Sequence, residues 1–185
     1  VTKDGKVYSY GTNSYGQLGR DGNTLLPEEI PNLENIEKVA ASNYHSMALG
    51  KDGSVYTWGY NGNGQLGNGT TTNIYLPRKV LSLDNIVDVA VENGTIVAVN
   101  KQGEVYASGY NGYGNLGDGT TGDKTQFTKL QTIENVAEVS VSPTNSTIAL
   151  LLDGTVWGFG HNANNQLTNV GGAIPQQLQG PDGAL

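Results

Sequence analysis

Cysteine is absent from this chain of 185 residues, which excludes a disulfide framework and any thiolate metal site. Basic side chains are scarce. Ten Lys and Arg stand against 17 Asp and Glu, a formal net charge of −7. A duplex-binding protein carries the opposite balance, so nucleic acid is disfavoured as a partner. No stretch approaches the length of a membrane span. No signal peptide is visible. The sequence opens on Val1, not Met, which suggests a trimmed beginning. With trimming, a secreted or cell-surface bacterial location fits; the compartment is otherwise undetermined. No long helical pattern is present.

What the chain has in excess is glycine, 27 residues, and asparagine, 20 residues. They concentrate in one phrase, Gly59-Tyr-Asn-Gly-Asn-Gly-Gln-Leu-Gly67. Copies stand at Gly11-Thr-Asn-Ser-Tyr-Gly-Gln-Leu-Gly19 and Gly109-Tyr-Asn-Gly-Tyr-Gly-Asn-Leu-Gly117. A worn copy runs Gly160-His-Asn-Ala-Asn-Asn-Gln-Leu-Thr168. Their first glycines are 48, 50 and 51 residues apart, a period of propellers and solenoids.

The surroundings repeat too. Asp4-Gly5, Asp52-Gly53, Gln102-Gly103 and Asp153-Gly154 precede the copies. Runs of strand composition join pair to phrase: Lys6–Tyr10, Val55–Trp58, Val105–Ser108 and Val156–Phe159. Further strands are expected over 36–41, 86–91 and 136–141, as almost wholly buried inner strands. Next come Ser46–Leu49, Thr95–Val99 and Thr147–Leu150. Short outer pieces follow, read around proline or its equivalent: Glu29–Pro31, Pro77–Val80, Phe127–Leu130 and Pro175–Leu178. Each unit of roughly 50 residues thus holds about four strands. A blade and a stacked solenoid coil both fit that count. Successive tight hairpins favour antiparallel blades.

The expected fold is therefore all-β, a propeller of four-stranded antiparallel blades. Residues 1–185 form one partial domain, with units at about 1–35, 36–85, 86–135 and 136–180. The first unit supplies only its two outer strands, which makes a partial ring of about three and a half blades. An open ring exposes blade flanks. Either they self-associate or the remainder of a longer chain covers them.

The phrase Val55-Tyr-Thr-Trp-Gly-Tyr-Asn-Gly-Asn-Gly-Gln-Leu-Gly67 resembles the repeat of the regulator of chromosome condensation family. Pro77 with Val80, Val89-Ala90 and His45-Ser46-Met47-Ala48-Leu49 occupy its other landmarks. Departures are Gly94-Thr95-Ile96 and Asn145-Ser146-Thr147 in place of His-Ser, and Asn165 and Thr168 in place of glycines. The resemblance implies a propeller, usually seven-bladed. It also implies roles such as exchange factor for a small GTPase, chromatin binder, ligase-associated scaffold, or bacterial secreted inhibitor or binding protein.

The repeated residues read as structural. Gly11, Gly16, Gly19, Gly59, Gly64, Gly67, Gly109, Gly114, Gly117 and Gly160 suit backbone angles closed to other residues. Leu18, Leu66, Leu116 and Leu167 are expected to plug the space between blades. Gln17, Gln65, Asn115 and Gln166 are expected to satisfy loop backbone. The glycines make no phosphate loop, since no Lys-Ser or Lys-Thr follows. Asp4, Asp52 and Asp153 read as turn formers, and the ligand run of a calcium loop is missing. His45 and His161 are far apart and suggest no metal site. No serine stands in a nucleophile-elbow phrase.

Candidates for partner binding are aromatic loop residues: Tyr15, Tyr44, Tyr60, Tyr110, Tyr113 and His161. A tyrosine offers a ring to bury and a hydroxyl to pair. The structural alternative is that the rings stiffen neighbouring loops. The expected function is a non-catalytic protein-binding or scaffold module, not an enzyme, with no cofactor and no metal. The alternatives are a nucleotide exchange factor and a propeller-based hydrolase or lyase.

Overall fold

The computed structural model describes residues 1–22, 24–168 and 171–179. Every regular element described is a strand. β1 (Tyr8–Gly11) and β2 (Thr24–Glu29) form a two-stranded antiparallel sheet, here called the half-blade. Three four-stranded antiparallel sheets follow in chain order. Blade one holds β3 (Ile36–Ala41), β4 (His45–Gly50), β5 (Val55–Gly59) and β6 (Ile74–Lys79). Blade two holds β7 (Ile86–Glu92), β8 (Thr95–Asn100), β9 (Val105–Gly109) and β10 (Lys124–Lys129). Blade three holds β11 (Val136–Val141), β12 (Ser146–Leu151), β13 (Val156–Gly160) and β14 (Gly172–Gln177).

Each blade is a meander whose strands pair only with their sequence neighbours. Between blades, β7 touches β3, β4 and β11, and β11 also touches β8. Sheets that fan from an axis meet along their inner strands, so β3, β7 and β11 are the innermost. Asp88 on β7 links all three. It ion-pairs with Lys38 on β3 and accepts the Val139 N–H of β11 at 2.9 Å.

The inner strands are less buried than their sequence suggests. In β3 only Ile36 is fully buried, and β11 alternates. The strands enclosed along their whole length are the second ones, β4 and β8. An innermost strand has one edge unpaired, whereas a second strand is paired on both edges and covered on both faces.

The outer strands also begin earlier than the prolines suggest, at Thr24, Ile74, Lys124 and Gly172. Pro27, Pro77 and Pro175 lie inside β2, β6 and β14. An edge strand loses nothing when a residue without an N–H faces outward. The pairing with the third strand shifts register near the first motif glycine in every sheet.

The Asp-Gly pairs make the turn into each third strand. The Gly53 N–H donates to the Gly50 carbonyl at 2.9 Å, and Gly53 takes φ +80°. Asp52 instead uses its carboxylate, accepting the Ser54 N–H and hydroxyl, both at 2.9 Å. Those bonds hold its carboxyl below the usual range.

The core lies in seams between sheets. The first seam, half-blade against blade one, gathers Val7, Ile30, Leu33, Ile36, Ala48 and Trp58. The second gathers Met47, Leu49, Val91, Ile96 and Phe127 among others. The third is built around Val97, Val99, Leu116, Val136, Val139 and Phe159.

Candidate functional site

His45 pairs with Gly59, Thr95 with Gly109 and Ser146 with Gly160. The glycine loops and the tips of the inner hairpins therefore share one rim. The Asp-Gly turns occupy the other. The candidate aromatic residues all stand on the loop rim.

Each loop is wound on an asparagine side chain. Asn61 is fully buried. Its Oδ1 accepts the Leu66 N–H at 2.9 Å, and its Nδ2 donates to the Thr70 and Thr72 carbonyls at 2.9 and 3.0 Å. Asn111 does the same with Leu116, Thr120 and Gly122. Asn13 and Asn162 likewise accept from Leu18 and Leu167. One amide thus satisfies several backbone groups of an irregular loop. The sequence reading credits the following Gln or Asn instead and passes over this residue. Its signal was available: the third position of all four copies is Asn.

The loop then docks on the next sheet. The Gln17 carbonyl accepts the Trp58 indole N–H and the Ser46 hydroxyl, each at 2.9 Å. Gln65 accepts from Ser108 at 2.8 Å, and Asn115 from Thr147 at 2.8 Å. Gly64 shows why the middle position is glycine. A Cβ there would lie 2.5 Å from the Thr125 Cα of β10. Gly16 meets Tyr75 and Gly114 meets Ala173 in the same way. In the fourth copy Asn165 and Thr168 keep positive φ, 55° and 58°. Asn takes that conformation readily; a β-branched Thr does so under strain. Leu18, Leu66, Leu116 and Leu167 are all buried, and Leu116 belongs to the third-seam core.

The docking brings rings from two sheets together. Tyr15 of the first loop lies 5.2 Å from Tyr44 and 5.1 Å from Tyr60 of blade one, both edge-on. Tyr44 and Tyr60 are 6.4 Å apart. Tyr15 and Tyr44 are exposed, at 36% and 52%. At the third seam Tyr113 lies 4.5 Å from His161 and 6.1 Å from Tyr110. The second seam has Asn63 and Gly94 at the places of Tyr15 and Tyr44, so Tyr110 has no such partners there. Tyr60 and Tyr110 are half-buried and lie back over their own loops, their hydroxyls above Gly62 and Gly112. The six candidates thus form two clusters, with Tyr15, Tyr44 and Tyr113 outermost.

His45 lies apart from both clusters and is buried. Its Nδ1 is 2.8 Å from the Ser42 hydroxyl, and its Nε2 has no hydrogen-bond partner. Burial pushes the imidazole down to about 4, against a smaller opposite pull from the Thr95 backbone. Among the described residues, no three His, Asp or Glu side chains gather as a metal site would require.

The repeat architecture matches known sequence families. The regulator of chromosome condensation (RCC1) repeat matches residues 4–49 and 52–99. A second model of the same repeat matches residues 36–65. The chain belongs to the RCC1 repeat family. No curated protein matches it in sequence. Among solved structures, human WBSCR16 is 24% identical with a TM-score of 0.83, covering 95% of this chain and 48% of that one. Yeast RCC1 (Prp20), bound to Kap60, is 20% identical with a TM-score of 0.84, covering 96% and 45%. Prp20p from Saccharomyces cerevisiae, described with its binding to Gsp1p and histones, gives 20%, 0.84, 96% and 47%. Identities this low show a shared fold alone. The chain spans about half the length of these structures. Its three and a half RCC1-type blades are thus a partial ring in the comparison as well as in the strand count.

Proposed function

We propose that this RCC1-repeat chain is a non-catalytic protein-binding module whose loop rim engages a protein partner. The observation that carries this reading is the exposed cluster of Tyr15 and Tyr44, braced from below by Tyr60. Three rings held edge-to-face lose little freedom on binding, and each retains a hydroxyl for a polar contact. The loops beneath are fixed by buried asparagines, so the rings stand on a rigid base. No reacting group is needed for such a role. The Kap60 complex of yeast RCC1 and the Gsp1p binding of Prp20p support a protein partner in general.

The exchange-factor reading rests on family membership, and no feature of these loops favours it. The test uses Tyr15→Ala and Tyr44→Ala together. Capture of a partner from the native proteome should weaken tenfold or more. Stability should fall by about 1–2 kcal/mol at most, the worth of two ring contacts. Unchanged capture with a larger stability loss would make the rings loop braces only. Accelerated nucleotide release from a GTPase found in the captured set would replace this reading with exchange.

A further inference from the structure

The half-blade is open along one edge. β1 pairs with β2, and among the described residues no strand lies on its other side. The Ile30 N–H donates to the Val7 carbonyl, toward β2. Alternation along an antiparallel strand then turns the backbone groups of Tyr8 and Tyr10 to the free edge. Beside that edge runs a groove of about 430 Å³, lined by Tyr8, Tyr10, Leu18, Val39, Met47 and Trp58 among others. Its floor is unusually bare. Val39 is 40% exposed, where the equivalent Val89 and Val139 are 2% and 8% exposed. Gly11 tells the same story. A Cβ on Gly59, Gly109 or Gly160 would strike the carbonyl at the head of the second strand, at 2.5, 2.0 and 2.4 Å, whereas one on Gly11 meets nothing within 4 Å.

The complete blades show what fits there. In blade two, Thr95–Val99 runs antiparallel to Val105–Gly109. Val97 and Val99 share a core with Val136 and Val139 of the next blade. The counterparts of Val136 and Val139 at the groove are Ile36 and Val39. We propose that the β1 edge and this groove form an acceptor for an antiparallel β-hairpin from polypeptide outside residues 1–185, with apolar side chains opposite Val7 and Ser9. Main-chain bonds to the edge supply affinity, and the alternate apolar side chains supply register. A second copy of these residues is a poor donor. Its three inner hairpins, β3–β4, β7–β8 and β11–β12, are already built into complete blades.

The chain itself supplies a probe. Residues 86–100 form an inner hairpin closed by Asn93-Gly94, with φ of 42° and 85°, the turn that closes a two-residue hairpin. A synthetic peptide of that sequence should bind the protein one to one and raise its Tm. Val97→Asp with Val99→Asp in the peptide should weaken binding at least tenfold. So should Val39→Glu in the protein, which leaves the Tm of the free protein unchanged because the side chain is already exposed. Absence of saturable binding up to about 1 mM peptide, a weak affinity by any standard, would overturn the proposal. Binding indifferent to both the peptide variant and Val39→Glu would also overturn it. A dimer by light scattering that Val39→Glu dissociates would give the groove to a second copy instead.

Discussion

The first and third seams join sheets through the same loop and are filled differently. In both, a motif carbonyl accepts a hydroxyl from the next sheet, Ser46 to Gln17 and Thr147 to Asn115. In both, a motif glycine lies against the next outer strand, Gly16 on Tyr75 and Gly114 on Ala173. Only the third seam has inner strands on both sides. There Val97 and Val99 cover Val139, whereas Val39 stays open. Docking of the loop therefore does not depend on the inner strands. The motif locks the outer halves of two sheets together, and the inner hairpin completes the core beneath that lock. The ring clusters sit on the lock, which is why the first cluster forms over an incompletely filled seam.

The comparison is sharpest in the leucines. Leu116 is buried among the side chains of the third-seam core. Leu18, equally placed in its loop, borders the groove. Leu116→Ala should cost about 2–5 kcal/mol, the range for emptying a packed leucine site. Leu18→Ala should cost about half as much, because it enlarges space already open. Equilibrium urea unfolding measures both. Equal losses would mean that the first seam is packed as tightly as the third.

A second test uses pH. Thr95 and Ser146 stand where blade one has His45. The folded imidazole is held at about 4, below its ordinary 6.5. Between those values the unfolded chain binds a proton that the folded chain refuses. The resulting stability is fully present above pH 6.5 and is lost as pH falls toward 4. About 2 kcal/mol should disappear between pH 7.5 and pH 5. His45→Thr, which copies blade two, should flatten that slope. Carboxylates respond lower down. Glu104, bonded to Lys129, Asn100 and Tyr106, is held at about 2 and stays charged throughout that interval. An unchanged slope in His45→Thr would place the titrating group elsewhere.

Much of this was legible in the residues. The period, the four strands per unit and the hairpin turns follow from local pattern, because each depends on neighbours within a few positions. The early starts of β2, β6 and β14 did not, because Pro27, Pro77 and Pro175 look like breakers until their edge position is known. The ring clusters were half legible. Tyr15, Tyr60, Tyr110 and Tyr113 stand out by register, but the meeting of Tyr15 with Tyr44 depends on how one sheet rotates onto the next. No local pattern encodes that rotation. The asparagine clamp was missed for another reason: in loops crowded with Asn, the invariant one attracts no notice.

The smallest expected effect concerns one methylene. Gln17, Gln65 and Gln166 each accept, through Oε1, the N–H two residues earlier, at 2.9, 3.0 and 3.0 Å. Asn115 holds the equivalent place at the third seam. Its Nδ2 donates to the Thr95 hydroxyl and the Tyr110 carbonyl, both at 2.7 Å. Gln166 makes the parallel pair of bonds to Ser146 and the His161 carbonyl. The shorter Asn115 leaves its Oδ1 buried without a partner. An unmade bond to a buried acceptor costs about 1–3 kcal/mol, and extra side-chain entropy on the longer residue offsets part of any recovery. Asn115→Gln should therefore raise stability by about 0.5–1.5 kcal/mol, read from the urea midpoint. Room for it is indicated by the second seam, where Gln65 sits against Gly109 much as Asn115 sits against Gly160. The reverse change, Gln65→Asn, should lose a similar amount. If Asn115→Gln destabilises while Gln65→Asn does so too, each seam has closed around its own side chain, and the two loops are not interchangeable copies.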